Sequence, residues 1–335
     1  MSGFTPIDLS KLDPPEVIKT VDFDALLQEM KAEAIKVSPQ LAPYLGYESE
    51  TATQILRICA HFRMLDRLEF NDGARALMLA YSTGTNLDHL GAPFGVERPT
   101  IQEANKSISP AIPEIRMDDE EYRQLIPLSL NGHTTAGPRG SYIYWARKAS
   151  GVVKDVTVDA PRFTILELDP ALAAQLPENA IVLGVADDAG LDKPMPGDVA
   201  ITVLSREEGG IPSQAVLDAV KTMLNDEDIR PLTDRPRCRA ATIIPYQIDA
   251  SLILYDGPDA STVITAARDA LTTYVKSNQR LGHDITLSGI YQALHQPGVQ
   301  NVHIIHPPGD IVVGSNEAAV CAAEGIRVTV GGRDV

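Results

Sequence analysis

The sequence predicts an α+β protein: an extended N-terminal arm and a helical region, followed by two-layer α/β modules. Three observations predict it. Apolar residues recur at helical spacing between residues 24 and 81. From Val152 onward, period-two alternation trades places with helical stretches. Residues 1–22, rich in Pro and Asp, carry neither period.

That first segment, residues 1–23 as a unit, reads either as a disordered tail or as an extended arm laid on a neighbouring subunit, with Phe4, Ile7 and Leu9 as anchors. Leu26, Leu27, Met30, Ala34 and Val37 share one face of a helix over 24–37, which Pro39 ends. A longer helix spans about 50–69, with Ile55, Ile58, Cys59, Phe62, Leu65 and Leu68 as its apolar stripe. Asn71-Asp72-Gly73 breaks it, and a helix resumes over 74–81. Residues 99–117 form a loop with three prolines. Asp118–Glu121 then place negative charge at a helix start, where the macrodipole favours it. Pro138 suits the first turn of the next helix, 139–149, and the helical region closes at 150.

Strands follow at 152–158, 199–204, 238–244, 246–255, 299–305 and 325–330. Helices fall at about 213–224, 261–275 and 287–294. Their order makes two modules, 151–245 and 246–335, with residues 160–196 as an insertion in the first. The connections suit ferredoxin-like units, with helices on one face of a mostly antiparallel sheet.

Composition narrows the function. The chain has 335 residues, with 29 Lys and Arg against 45 Asp and Glu, a net charge of −16. That field repels a phosphate backbone, so nucleic acid is not an expected partner. No run approaches the ~20 apolar residues of a membrane span, and the start lacks the basic and apolar parts of a signal peptide. Cys59, Cys238 and Cys321 are odd in number and far apart, and read as small buried hydrophobes in a reducing compartment.

Chemistry-bearing patterns are weak. Gly132–Arg139 has two glycines five apart before a helix, but Pro138-Arg139 stands where a phosphate loop needs Lys-Ser/Thr. The pairs Cys59–His61 and His303–His306 lack a third ligand, and the acidic clusters read as caps. Neither a cofactor nor a metal is expected, and no catalytic set stands out. The alternative kept open is a cytosolic hydrolase using Asp or His in the C-terminal half.

The most specific stretch is Ser82–Arg98, STGTNLDHLGAPFGVER. Gly84 suits a positive φ, Thr85 or Asn86 can cap the next turn, Leu87 and Leu90 lie three apart on one face, and Gly91, Pro93 and Gly95 end it. It resembles the baseplate J-like family of contractile phage tails, whose members carry a similar GTxLDxLGxxxGxxR pattern. Later blocks, RPLTDRPRCRAA, IPYQIDASLIL and LGHDITLSGIYQALHQPGVQNV, are similar too. The resemblance implies a non-enzymatic baseplate wedge subunit that forms a ring around the hub and transmits the change triggering sheath contraction. The implied partners are other copies of itself, a tail protein I-like wedge subunit, a lysozyme-like wedge protein of baseplate W type, and hub spike and sheath neighbours. The implied location is the baseplate of a virion tail or tail-like particle, with assembly in the bacterial cytoplasm. The expected interface is the arm (Phe4, Ile7, Leu9) with the corner residues Thr85, Asn86, Leu87, Asp88, Leu90, Gly91 and Gly95.

Overall fold

A computed structural model describes residues 9, 12, 13, 15–134, 137–169, 172, 175–177, 179–256 and 259–334. The chain is mixed α+β and forms two compact units: Pro6–Arg98 with Asp118–Ile126, and Pro99–Met117 with Pro127–Val335.

The helical unit starts with α1 (Phe23–Val37), capped by the Asp22 carboxylate on the Ala25 N–H, and α2 (Thr51–Ala76). Leu26 and Leu27 of α1 bury against Ala60, with Phe23, Met30, Leu56 and Met64 around them. The inward face of α2 is therefore Thr53, Leu56, Ala60, Met64 and Asn71. This corrects the sequence reading. The stripe Ile55, Ile58, Phe62 and Leu65 lies on the opposite side, 43–61% exposed, and Cys59 beside it is exposed rather than buried. At 100° per residue, a helix with apolar residues at both sets of positions has two apolar faces. Periodicity alone does not tell which one is covered.

The Asn71-Asp72-Gly73 break does not occur, because α2 runs through it to Ala76. The Asn71 side chain is almost fully buried and pairs both ways with the Lys19 backbone. It accepts the Lys19 N–H at 3.0 Å and donates Nδ2–H to the Lys19 carbonyl at 2.7 Å. That tertiary contact outweighs a helix penalty of about 1 kcal/mol for Gly73. Tyr81 donates to the Leu12 carbonyl and Arg67 to that of Thr20. The described part of the arm thus makes these contacts within its own chain. Two further helices, α3 (Gly84–Gly91) and the first half of α4 (Asp119–Gly132), complete this unit.

The second unit opens with a small antiparallel pair, β1 (Thr100–Gln102) and β2 (Ile115–Arg116), within the expected loop. α5 (Arg139–Ala149) begins after Pro138, as its ring predicts. Tyr142 and Ala146 of α5 bury against Val156 and Ile201. The stretch 127–150 therefore packs with the sheet that follows, and the boundary expected at 150 does not separate them. That sheet consists of β3 (Val153–Asp159), β6 (Asp198–Ser205) and β7 (Arg235–Ala240), covered by α6 (Gln214–Leu224). Between β3 and β6 a separate hairpin is formed by β4 (Arg162–Ile165) and β5 (Leu183–Asp187).

The last sheet holds β8 (Thr242–Tyr255) between β9 (Val299–His306) and β10 (Glu317–Asp334). Alternate residues Ile248, Ala250, Leu252 and Leu254 bury against Val263, Ala267 and Leu271 of α7 (Ala260–Asn278) and Ile290 of α8 (Leu287–Leu294). Each of the two sheets has three strands, with one parallel and one antiparallel pairing. They are neither mostly antiparallel nor four-stranded like a ferredoxin-like unit. The two sheets are also one body. Leu204, Ala241, Leu281 and Ala318 form a shared cluster, and Asp155 of β3 accepts the Leu281 N–H at 2.9 Å. Cys238 and Cys321 are half-buried, and burial pushes the Cys238 thiol up to about 11.

Asn71→Ala should lower unfolding stability by about 1–3 kcal/mol, because it strands the Lys19 amide and carbonyl. That exceeds the helix-propensity gain of up to about 0.7 kcal/mol. Urea unfolding should show a lower midpoint with an unchanged slope.

Candidate functional site

The corner from Ser82 to Arg98 is assembled by residues from two places in the sequence. Gly84 opens α3 with φ +55°, and Gly95 closes the following 3-10 turn (Ala92–Phe94) with φ +65°. Both values favour glycine. The cap of α3 is not Thr85 or Asn86, which lie in its first turn and are exposed. It comes from outside the helix: Asp119 Oδ2 accepts the Gly84 N–H at 3.0 Å. The orphan donor of a helix start is thus satisfied by a carboxylate 35 residues away in sequence.

Arg98 joins these parts. Its Nε donates to Asp88 Oδ1 at 2.7 Å, and its Nη2 reaches Asp119 Oδ1 at 2.8 Å and the Gly84 carbonyl at 3.2 Å. The guanidinium also lies 4.6 Å from the Tyr122 ring centroid. The planar fork suits two carboxylates at once, which a lysine ammonium does not. Burial opposes ionisation of Asp119. The Gly84 N–H and the Arg98 guanidinium more than offset it and hold its carboxyl below the usual range.

Tyr122 is fully buried and donates to the Val96 carbonyl at 2.7 Å. Its phenol occupies the space a side chain at Gly91 would need, and a Cβ there would also stand 2.9 Å from the Val96 carbonyl oxygen. A second arginine secures the approach to the corner. Arg123 donates to the carbonyls of Leu79 and Ser82 at 2.7 and 2.6 Å, and pairs with Glu120 at 2.7 Å.

The expected interface residues therefore divide. Thr85, Asn86 and Gly95 are on the surface, Asp88 and Leu90 are half-buried, and Leu87 and Gly91 are buried inside the corner. Leu9 is half-buried, while Phe4 and Ile7 lie outside the described residues. Asp119, Tyr122 and Arg123 were not singled out from sequence as partners of the corner. Their only signal was the acidic helix start, which read as macrodipole charge. The carboxylates here are neutralised by arginine and helix N–H groups, an arrangement that locks backbone in place. Among the described residues, no three His, Cys, Asp or Glu side chains converge to hold a metal. No helix among them is long and apolar enough to cross a membrane.

Two family models match the chain. The Baseplate J-like N-terminal domain matches residues 48–105, which include the whole corner motif. The Baseplate J-like protein C-terminal domain matches residues 246–328. Across 333 residues the chain is 36% identical to baseplate protein J of Escherichia phage P2, taking in 98% of this chain and 99% of that protein. The chain belongs to the baseplate J-like family. A weaker likeness, with a TM-score of 0.36 and 14% identity, is to a chain in the cryo-EM structure of the anti-feeding prophage (AFP) baseplate, 6-fold symmetrised. It covers 65% of this chain and 47% of that one.

Gly91→Ala should destabilise the helical unit by about 1–3 kcal/mol through overpacking against Tyr122, read as a lower thermal or urea midpoint. Because the Asp119 carboxyl is held low in the folded state, its contribution is complete above its unfolded value of ~3.9. It is lost as pH falls through the folded value. Stability measured from pH 6 down to pH 2 should fall less steeply in Asp119→Asn than in the parent.

Proposed function

We propose that this chain is a structural subunit of the baseplate wedge of a contractile tail, in a phage or a tail-like particle, and that it acts by docking rather than by catalysis. The observation that carries this reading is the outward face of α2. Ile55, Ile58, Phe62 and Leu65 follow one another at intervals of three, four and three, the spacing of a helix-pairing seam. They stay 43–61% exposed although the opposite face of the same helix is already covered by α1. A helix with two apolar faces belongs between two partners, and among the described residues α2 is covered on one of them. A second copy of the chain is the occupant that the family membership favours.

In this reading the partners are other copies of the chain, a tail protein I-like wedge subunit, a lysozyme-like wedge protein of baseplate W type, and hub spike and sheath neighbours. Wedges form a ring around the hub in the tail baseplate, after assembly in the host cytoplasm. Their rotation and spreading releases sheath contraction, with Gly137 and Gly209-Gly210 as hinge positions, while Gly84 and Gly95 move with the corner that Arg98 and Asp119 hold together. The exposed Thr85, Asn86 and Gly95 extend the docking surface beyond α2.

Ile58→Asp with Phe62→Asp tests this. Both side chains are exposed, so the free chain should keep its helical content and melting temperature. Its pairing in sedimentation and its incorporation into baseplates should both be lost. Normal incorporation of the double variant would overturn the reading.

A further inference from the structure

The hairpin β4–β5, which neither matched family-model region covers, has a rigid base and an uncovered face. The base is held by an arginine ladder. Arg235, Arg237 and Arg239 alternate along β7, so they share one side of the strand. Arg237 donates to the Asp192 carbonyl at 2.9 Å and to Asp198 Oδ2 at 3.0 Å. Arg239 donates to the Ala189 carbonyl at 2.8 Å, to Thr202 Oγ1 at 2.9 Å and to the Gly190 carbonyl. Arg235 pairs at 3.0 Å with Asp198, whose side chain is completely buried. The segment that leads out of β5 is thus pinned to β6 and β7, so the hairpin leaves the sheet from a fixed root.

Beyond that root the hairpin is apolar and open. Phe163 faces Val185 and Ile165 faces Leu183 across the two strands, which puts all four on one side, with Ile181 two residues before Leu183. Ile165, Ile181, Leu183 and Val185 are 41–73% exposed. A lone two-stranded ribbon is marginal in water, and a contiguous apolar patch on such an element marks a contact surface.

Charge decides what covers it. From Phe163 to Ala186 the sequence holds Glu167, Asp169 and Glu178 and no Lys, Arg or His. A second copy would bring the same acids to the same contact, and an anionic bilayer would repel them as well. We propose that the β4–β5 hairpin is a docking finger for a different protein, one that offers an apolar surface rimmed by Lys or Arg. This surface is separate from the α2 face, and the inference does not rest on α2 pairing with a second copy.

The test uses the full chain and two fluorescein-labelled probe peptides, LKKLLKLLKKLLKL and its acidic counterpart LEELLELLEELLEL. Fluorescence anisotropy should show the lysine peptide binding at least tenfold more tightly than the glutamate peptide. Ile165→Ser with Leu183→Ser should weaken lysine-peptide binding at least tenfold while leaving circular dichroism and melting unchanged. Glu167→Gln with Asp169→Asn should weaken it several-fold. Phe62→Ser, on the α2 face, should leave the hairpin-dependent part of the binding intact, which separates failure here from failure of the wedge reading. Equal binding by the two peptides, or full binding by the serine variant, overturns the proposal. So does a dimer that sediments as such only with the hairpin intact, or hairpin-dependent binding to phosphatidylglycerol vesicles.

Discussion

The helical unit depends on one cation placed among groups that would otherwise be costly to bury together. Arg98 neutralises Asp88 on α3 and Asp119 on α4, accepts the Tyr122 ring against its face, and reaches the Gly84 carbonyl. A buried guanidinium with a missing partner is strongly unfavourable, so the contacts stand or fall as a set. Their joint effect is to set the direction of α3 relative to α4 within a stretch too short to be stable alone, since an eight-residue helix lies well under the ~12–15 residues that mark marginal stability in water.

Much of the fold was legible from sequence because local and global signals agree. The strands β3, β6, β8 and β9 form where their period-two pattern puts them, although β6 is buried on both faces, and α1, α5, α6, α7 and α8 lie where their apolar spacing puts them. The motif glycines at 84 and 95 take the left-handed conformation their positions called for. What was not legible has a common cause: the deciding partner is remote in sequence. The Asn71-Asp72-Gly73 break is cancelled by a backbone 52 residues away, and the cap of α3 arrives from Asp119. β10 begins at Glu317, well before the run at 325–330, because a parallel neighbour supplies its pairing register.

The α2 stripe failed for a different reason. Its periodicity was real, but among the described residues nothing covers it, so the apolar face that reads most strongly is the one left open. Arginines show the converse. The three guanidinium groups of RPRCRA are spent on carbonyls, Thr202 and a buried carboxylate within the molecule.

Gly91 and Tyr122 occupy a single space with one side chain between them. A bulkier residue at position 91 is tolerable only after the ring at position 122 has been lost, so exchanges at two sites 31 residues apart in the sequence have a fixed order. The opposite order passes through a variant in which a Cβ and a phenol claim the same volume.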